Sequence, residues 1–414
     1  MMPTRISPAP SASSRISHMP RLSRAAPARW LAPLLAAALG ACAVAPPTAP
    51  TVAASPPAAA APPAAAAAGA MPLQRPRARW EPVAWDALPG WTDDRSAELW
   101  PALRAGCQKP APGWASVCAR ALAFTPPDDG FARDFLQREL QPNHVVTPEG
   151  EAGGLATGYF EPLVAARRQR GAGFGVAVHR PPADLAQRRP WWTRQQADTV
   201  PAAQAALRGQ EIAWLASPLD LLVLQIQGSG RLRITEPDGR QRTVRLAFAG
   251  HNDQPYQSVG RWLIDQGELR ADGANWPAIR DWGQRARPER LQQMMWANPR
   301  LVFFREEALP DESPGPNRPD GPRGAQNVPL TAGRSVAVDP LAVPYGTPLW
   351  LDTTEPLSAK PLRRLVMAQD TGSAITGAVR IDYFWGAGDL AERQAGRMKQ
   401  PLRLWALWPR SAGP

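Results

Sequence analysis

Three aspartates lie in or at the ends of short apolar runs near the C-terminus of this 414-residue chain. Asp339 ends Ser335-Val336-Ala337-Val338-Asp339-Pro340, Asp370 precedes Thr371-Gly372 after Val366-Met367-Ala368-Gln369, and Asp382 sits inside Ala378-Val379-Arg380-Ile381-Asp382-Tyr383-Phe384-Trp385-Gly386. Carboxyls presented this way suit acid–base work on a glycosidic bond. Such work needs a protonated carboxyl at the leaving oxygen and then a base for the incoming nucleophile, and one aspartate can do both. With the period-2 alternation of a strand, Val379, Ile381, Tyr383 and Trp385 share a buried apolar face, and Arg380, Asp382 and Phe384 share the other. Asp382 is then displayed at the domain surface beside an aromatic ring, with an ordinary solvated Asp as the competing reading. Asp before Pro or Thr-Gly also caps its own turn through backbone N–H groups, which is the competing role for Asp339 and Asp370.

Other chemistries find little support. Beyond the leader the histidines are His144, His179 and His251, none at ligand spacing with another ligand, so no metal or other cofactor is expected. Gly228-Ser229-Gly230 does not make a Gly-x-Ser-x-Gly elbow, and no Gly-rich phosphate loop precedes a helix. The string Asp370-Thr371-Gly372-Ser373-Ala374 is of the kind used by aspartic proteases, which need two such aspartates sharing a proton; it occurs here once, so a protease would require a homodimer. The formal net charge is +11, of which five arginines of the leader leave +6 for the remainder. That excess is carried by scattered arginines with no accompanying nucleic-acid motif, so no nucleic-acid partner is expected.

The elements that must position the aspartates are mostly strands. Asp94 to Ala105, interrupted near Pro101, and Gly130 to Leu140, with Phe131, Phe135 and Leu136 as an apolar stripe, read as opening helices. Leu155 to Leu163 reads as a strand whose Gly158 lets something approach its backbone closely. In the middle region Leu219 to Ile226 reads as a buried strand broken at Gln227-Gly228-Ser229-Gly230. There Arg231 to Thr235 pairs with Thr243 to Phe248 through Pro237-Asp238-Gly239-Arg240, and helices follow over Tyr256 to Gln266 and up to Trp296. After a Pro/Gly-rich loop, 310 to 324, short strands recur at Ser335–Asp339, Pro348–Asp352, Arg364–Asp370, Val379–Trp385 and Leu402–Trp408. Only a helix over Leu390–Lys399 interrupts them, a texture that closes into a barrel.

The N-terminus speaks to location. Arg21, Arg24 and Arg29 precede the apolar run Trp30 to Leu39, too short to span a bilayer, and small residues lead to Cys42. This ending resembles the lipobox of bacterial lipoproteins, in which Cys42 becomes the lipidated N-terminus. Ala43 after it favours the periplasmic face of the outer membrane, with outer-membrane lipid as a partner. An Ala/Pro-rich tether follows. Cys107 and Cys118, exported into an oxidising compartment, are expected to form a disulfide, buried free thiols being the alternative.

Taken in order, Gly158-Tyr159-Phe160-Glu161-Pro162, Leu224-Gln225-Ile226-Gln227-Gly228-Ser229-Gly230, Ser258-Val259-Gly260-Arg261-Trp262-Leu263-Ile264, Asn298-Pro299-Arg300-Leu301-Val302-Phe303-Phe304 and the three aspartate segments resemble the membrane-bound lytic murein transglycosylase A family. The resemblance implies a mainly β fold, a double-psi β-barrel with an inserted smaller β-domain and a few flanking helices. The corresponding division is 1–41 signal peptide, 42–75 tether, 76–166 first part of the barrel, 167–300 insert, and 301–414 second part of the barrel. It implies non-hydrolytic cleavage of the β-1,4 bond between N-acetylmuramic acid and N-acetylglucosamine in peptidoglycan, giving 1,6-anhydromuramyl products. By motif position Asp382 is then the single acid/base, Asp370 its helper and Asp339 structural. Tyr159, Glu161, Gln225, Gln227 and Ser229 are expected as sugar contacts, and Trp385 as an aromatic near the groove. A peptidoglycan-binding module that does not cut is the alternative, and other cell-wall enzymes are conceivable partners.

Overall fold

A computed structural model describes residues 71–309 and 319–410 of the chain; the leader, Cys42 and the tether up to residue 70 lie outside the described residues. Strands β1 (Leu73–Arg75), β2 (Ala78–Pro82), β3 (Leu140–Val146) and β4 (Gly154–Glu161) begin a first sheet. Strands β5 (Leu163–Arg167), β6 (Val176–His179), β7 (Glu211–Leu215), β8 (Gly230–Thr235), β9 (Gln241–His251) and β10 (Val302–Ala308) form a second. The chain then returns to the first sheet through β11 (Ser335–Val338), β12 (Pro348–Thr354), β13 (Pro361–Asp370), β14 (Arg380–Ala387) and β15 (Lys399–Pro409).

The first sheet runs β1-β2-β3-β15-β12-β13-β11-β14-β4, and β4 also pairs with β15, so six strands close on themselves as a barrel. Alternation explains the closure. Val336, Val338, Leu349, Leu351, Leu365, Ile381, Tyr383 and Leu404 belong to one continuous core, and on β11 and β14 the alternate residues Ala337, Asp382 and Phe384 face away from it. Cys107 and Cys118 are joined by a disulfide on the flank of that core, with Cα atoms 5.3 Å apart.

The register matters most for function. Asp382 of β14 pairs with Thr157 of parallel β4 and with Ala337 of antiparallel β11, and Ala337 in turn pairs with Asp370 of β13. One rung across four strands therefore reads Asp370, Ala337, Asp382, Thr157. Cross-strand partners project to the same side, so this rung gathers two carboxylates and a hydroxyl on the outer wall of the barrel over a small alanine.

Several local expectations differ from what is found. Residues 219–226 are not a strand but most of a helix, Pro218–Gln227, with Ser217 accepting from Leu219 N–H at its start and Gly228 at φ 75° ending it. Leu224 packs on the second sheet while Leu219 and Leu222 pack on the helices Val259–Asp265 and Trp276–Arg285. Burial on several sides makes Leu221 to Leu224 continuously apolar and hides the helical period. The insert also extends beyond 167–300, since β5 and β10 are strands of the second sheet; the break falls at Pro162, where the chain leaves β4. Helix Asp129–Glu139 buries Ala132, Phe135 and Leu136, while Phe131 is exposed.

Candidate active site

The rung lies at the bottom of a groove of about 440 Å³ between the outer wall of the barrel and the insert. Asp382 and Asp370 come from the barrel, Tyr159 from β4, Gln225, Gln227 and Ser229 from the end of helix Pro218–Gln227 and the turn after it, and Phe248, His251, Tyr256 and Arg300 from the insert.

The two carboxylates have different surroundings. Thr157 Oγ1 donates to Asp382 Oδ1 at 2.6 Å, the one side-chain hydrogen bond Asp382 receives among the described residues. Burial pushes its pKa up from 3.8 to about 6, against the pull of that hydroxyl and of the Arg380 guanidinium, and the Asp370 charge adds to the rise. A carboxyl of this kind gains and loses a proton close to neutral pH, as general acid–base work requires. Asp370 instead accepts from Tyr159 Oη at 2.9 Å and from the Ala325 and Thr371 N–H groups, both at 2.9 Å. Burial raises its pKa as well, opposed by those three donors. Tyr159, buried beside this carboxylate, has its hydroxyl pKa raised well above the ordinary value and so keeps its proton to donate.

Beneath the rung, Ala337, Tyr159, Phe384, Leu330 and Ile375 form a small apolar floor. Phe384 is therefore buried and not a surface ring beside Asp382. Trp385 points to the far side of the barrel wall, where it meets Gly158: a Cβ on that glycine would lie 2.7 Å from the indole Nε1 and 3.0 Å from Cα of Ala395. The close approach expected at Gly158 is thus a packing contact, and the aromatics at the groove are Tyr159, Phe248 and Tyr256.

Of the residues expected to touch sugar, Tyr159, Gln225, Gln227 and Ser229 line the groove and Glu161 does not. Gln225 Nε2 donates to Val302 O at 3.1 Å and Gln227 Oε1 accepts from Phe160 N at 2.9 Å, which fixes the helix end against both sheets. Glu161 is completely buried and paired with Arg231 at 2.7 Å and with Arg245, whose Nη2 also donates to Asp320 O. It ties together the two crossings of the chain between barrel and insert. Asp339 is buried too, accepting from Leu341 N at 3.0 Å and Gly377 N at 2.8 Å and pairing with Arg77 at 3.0 Å, so it holds a turn. Thr157 has a signal in the sequence, since it lies two residues before Tyr159 and so on the same face of β4. Phe248 and His251 come from distant segments and carry no local signal, and Arg300 lies within the Asn298–Phe304 segment of the family resemblance without a role assigned to it. Among the described residues no group of three or more His, Cys, Asp or Glu converges as a metal site.

Comparison with known proteins agrees with this architecture. Residues 155–305 match the model of the MltA specific insert domain and residues 334–408 that of the 3D domain. Over 256 residues the chain is 30% identical to membrane-bound lytic murein transglycosylase A of Escherichia coli K12, covering 61% of this chain and 64% of that relative, so it spans somewhat under two thirds of the relative's length. Among solved structures, the lytic transglycosylase LtgG of Burkholderia pseudomallei is 42% identical, covering 84% of this chain and 99% of that one, with a TM-score of 0.54. MltA from Neisseria gonorrhoeae is 30% identical, covering 85% and 99%, with a TM-score of 0.68.

Proposed function

Because the chain belongs to the membrane-bound lytic murein transglycosylase A family, we propose that it cleaves the β-1,4 bond between N-acetylmuramic acid and N-acetylglucosamine in peptidoglycan without water, leaving 1,6-anhydromuramyl ends. Asp382 is the single acid/base. Its proton passes to the leaving O4 as the C1–O4 bond breaks; the resulting carboxylate then takes the proton of the muramic acid C6 hydroxyl as O6 bonds to C1. Atoms balance with no added water, and the internal nucleophile brings its own high effective molarity. The observation that carries this reading is the Asp382 environment: a carboxyl at the groove, held among the described side chains by Thr157 alone, whose burial pushes its pKa up to about 6. Thr157 on Oδ1 leaves Oδ2 to face the scissile bond. Asp370, held by Tyr159 and two N–H groups, acts through its field on Asp382 and is a positioning residue. Export through the leader and lipidation of Cys42 at the periplasmic face of the outer membrane complete the proposal.

Digestion of purified sacculi by a soluble form, with products identified by mass spectrometry, tests the reaction. Anhydro-muropeptides are the expected product. Hydrated reducing ends would make the protein a hydrolase, and unchanged sacculi a binding module. Palmitate labelling that survives Cys42→Ala would refute the anchor.

A further inference from the structure

Basic groups on the groove walls are left unused by the acid–base chemistry on its floor. Arg300 lines the groove from the insert beside His251, and Arg323 lines it from the barrel side, two residues before the Ala325 N–H that holds Asp370. Arg300 Nη1 donates to Gln254 O at 3.1 Å and Arg323 Nη1 to Asn327 O at 3.0 Å, which among the described residues leaves most of the five N–H donors of each guanidinium unspent. Elsewhere in the insert, Arg168, Arg231 and Arg245 all pair with glutamates. Among the described residues, Arg300 and Arg323 have no carboxylate within salt-bridge distance. Arg300 is half-buried, and burial pulls its pKa below the ordinary value, a desolvation cost that an anion in the groove would relieve.

We propose that Arg300 and Arg323 read the acidic substituent that distinguishes muramic acid from N-acetylglucosamine, so that the groove selects carboxylate-bearing glycans over neutral ones. This rests on the groove being the glycan site. Muramic acid carries on O3 a lactyl group whose carboxyl is free in denuded strands; in substituted strands it is amide-linked to a peptide that brings its own carboxylates. A guanidinium fork matches a carboxylate with two parallel charge-assisted hydrogen bonds. Asp370 repels the same group from the floor. Attraction from the walls and repulsion from the floor together orient the O3 substituent upward, and that orientation sets which of the two alternating sugars presents C1 at Asp382.

The test is calorimetric binding to the D382N protein, which removes turnover. A GlcNAc–MurNAc tetrasaccharide is offered in three forms: with the lactyl carboxylate free, with it converted to the methylamide, and with its stem peptide attached. At low salt a carboxylate-bearing form is expected to bind about tenfold more tightly than the methylamide, the order of one charge-assisted pair. R300Q and R323Q, alone and together, bring that ratio towards one. Tight binding of the free acid assigns the contact to the lactyl carboxylate, and tight binding of the peptide form alone assigns it to the peptide. R323Q is at an exposed position and keeps the test decisive should R300Q fail to fold. Equal binding of all three forms, or a ratio that survives both substitutions, overturns the proposal while leaving the glycan site in place. No binding of any form by the folded protein overturns the glycan-site reading itself, and the proposal with it.

Discussion

Replacing Asp382 by Asn should remove cleavage and, above pH 6, make the protein more stable. Burial lifts this carboxyl from 3.8 to about 6. Each pKa unit corresponds to about 1.4 kcal/mol, so the folded state holds the Asp382 proton ~3 kcal/mol more tightly than the unfolded chain does. The sign follows from linkage: for an acid whose folded pKa is raised, the stabilisation is complete below the unfolded value and is lost as pH rises through the folded value. Asn places a neutral amide where the protonated carboxyl sat, still accepts from Thr157, and has nothing to lose with pH. The two proteins should therefore be about equally stable near pH 4, diverge between pH 4 and 6, and differ by ~3 kcal/mol in favour of the Asn variant at pH 8. Urea titrations at pH 4 to 8, followed by tryptophan fluorescence, measure the gap, and sacculus digestion on the same samples measures activity. A variant that is inactive but no more stable at pH 8 than at pH 4, relative to wild type, would refute the claim that burial sets the Asp382 pKa.

Thr157→Val removes the hydroxyl that favours ionised Asp382, so the alkaline limb of the pH–rate profile should move up by roughly half a unit to one unit, with a slower maximum; a downward move would contradict the assignment. Ala337→Leu forces a larger side chain between the strands of Asp370 and Asp382, in a position that is 3% exposed. It should cost about 1–3 kcal/mol and most of the activity, read by urea titration and product formation. Glu161→Gln strips the counter-charge from Arg231 and Arg245 and should cost roughly 3–5 kcal/mol, while KM for glycan in the folded fraction stays unchanged because Glu161 does not reach the groove.

What sequence alone could deliver was decided by where each residue finds its partners. The strand bearing Asp382 is legible because Ile381 and Tyr383 meet the barrel core while Asp382 between them does not, whereas the strand bearing Asp370, buried continuously from Leu365 to Gln369, is legible only by its apolar run and the Thr-Gly after it. The helix Pro218–Gln227 is not, since burial on several sides makes every second residue as apolar as every third or fourth; only Ser217-Pro218 and Gly228 carry the helical signal, at its ends. Glu161 is expected as a sugar contact only through the family resemblance, and the structure buries it away from the groove. Its arginine partners stand 70 and 84 residues away, beyond any local pattern. Trp385 was readable correctly from its own strand, since period 2 puts it with Tyr383 and not with Asp382.

The choice between one working carboxylate and two turns on hydrogen-bond supply. A glycosidase that activates water needs a second carboxylate with a free oxygen, and an aspartic dyad needs two carboxylates in contact. Asp370 meets neither condition. Its strand is separated from that of Asp382 by β11, two inter-strand spacings or about 10 Å between Cα atoms. Three of its roughly four acceptor positions are filled by Tyr159, Ala325 and Thr371. A base so occupied would have to break those bonds to take a proton from water, whereas Asp382, with one donor, has acceptor capacity to spare. Asp370→Asn should therefore keep measurable activity and still yield anhydro products. It should also lower the pKa of Asp382, because the neighbouring negative charge that raises it is gone, and shift the alkaline limb of the rate profile downward. Complete loss of activity in a folded Asp370→Asn protein would return the second carboxylate to the mechanism.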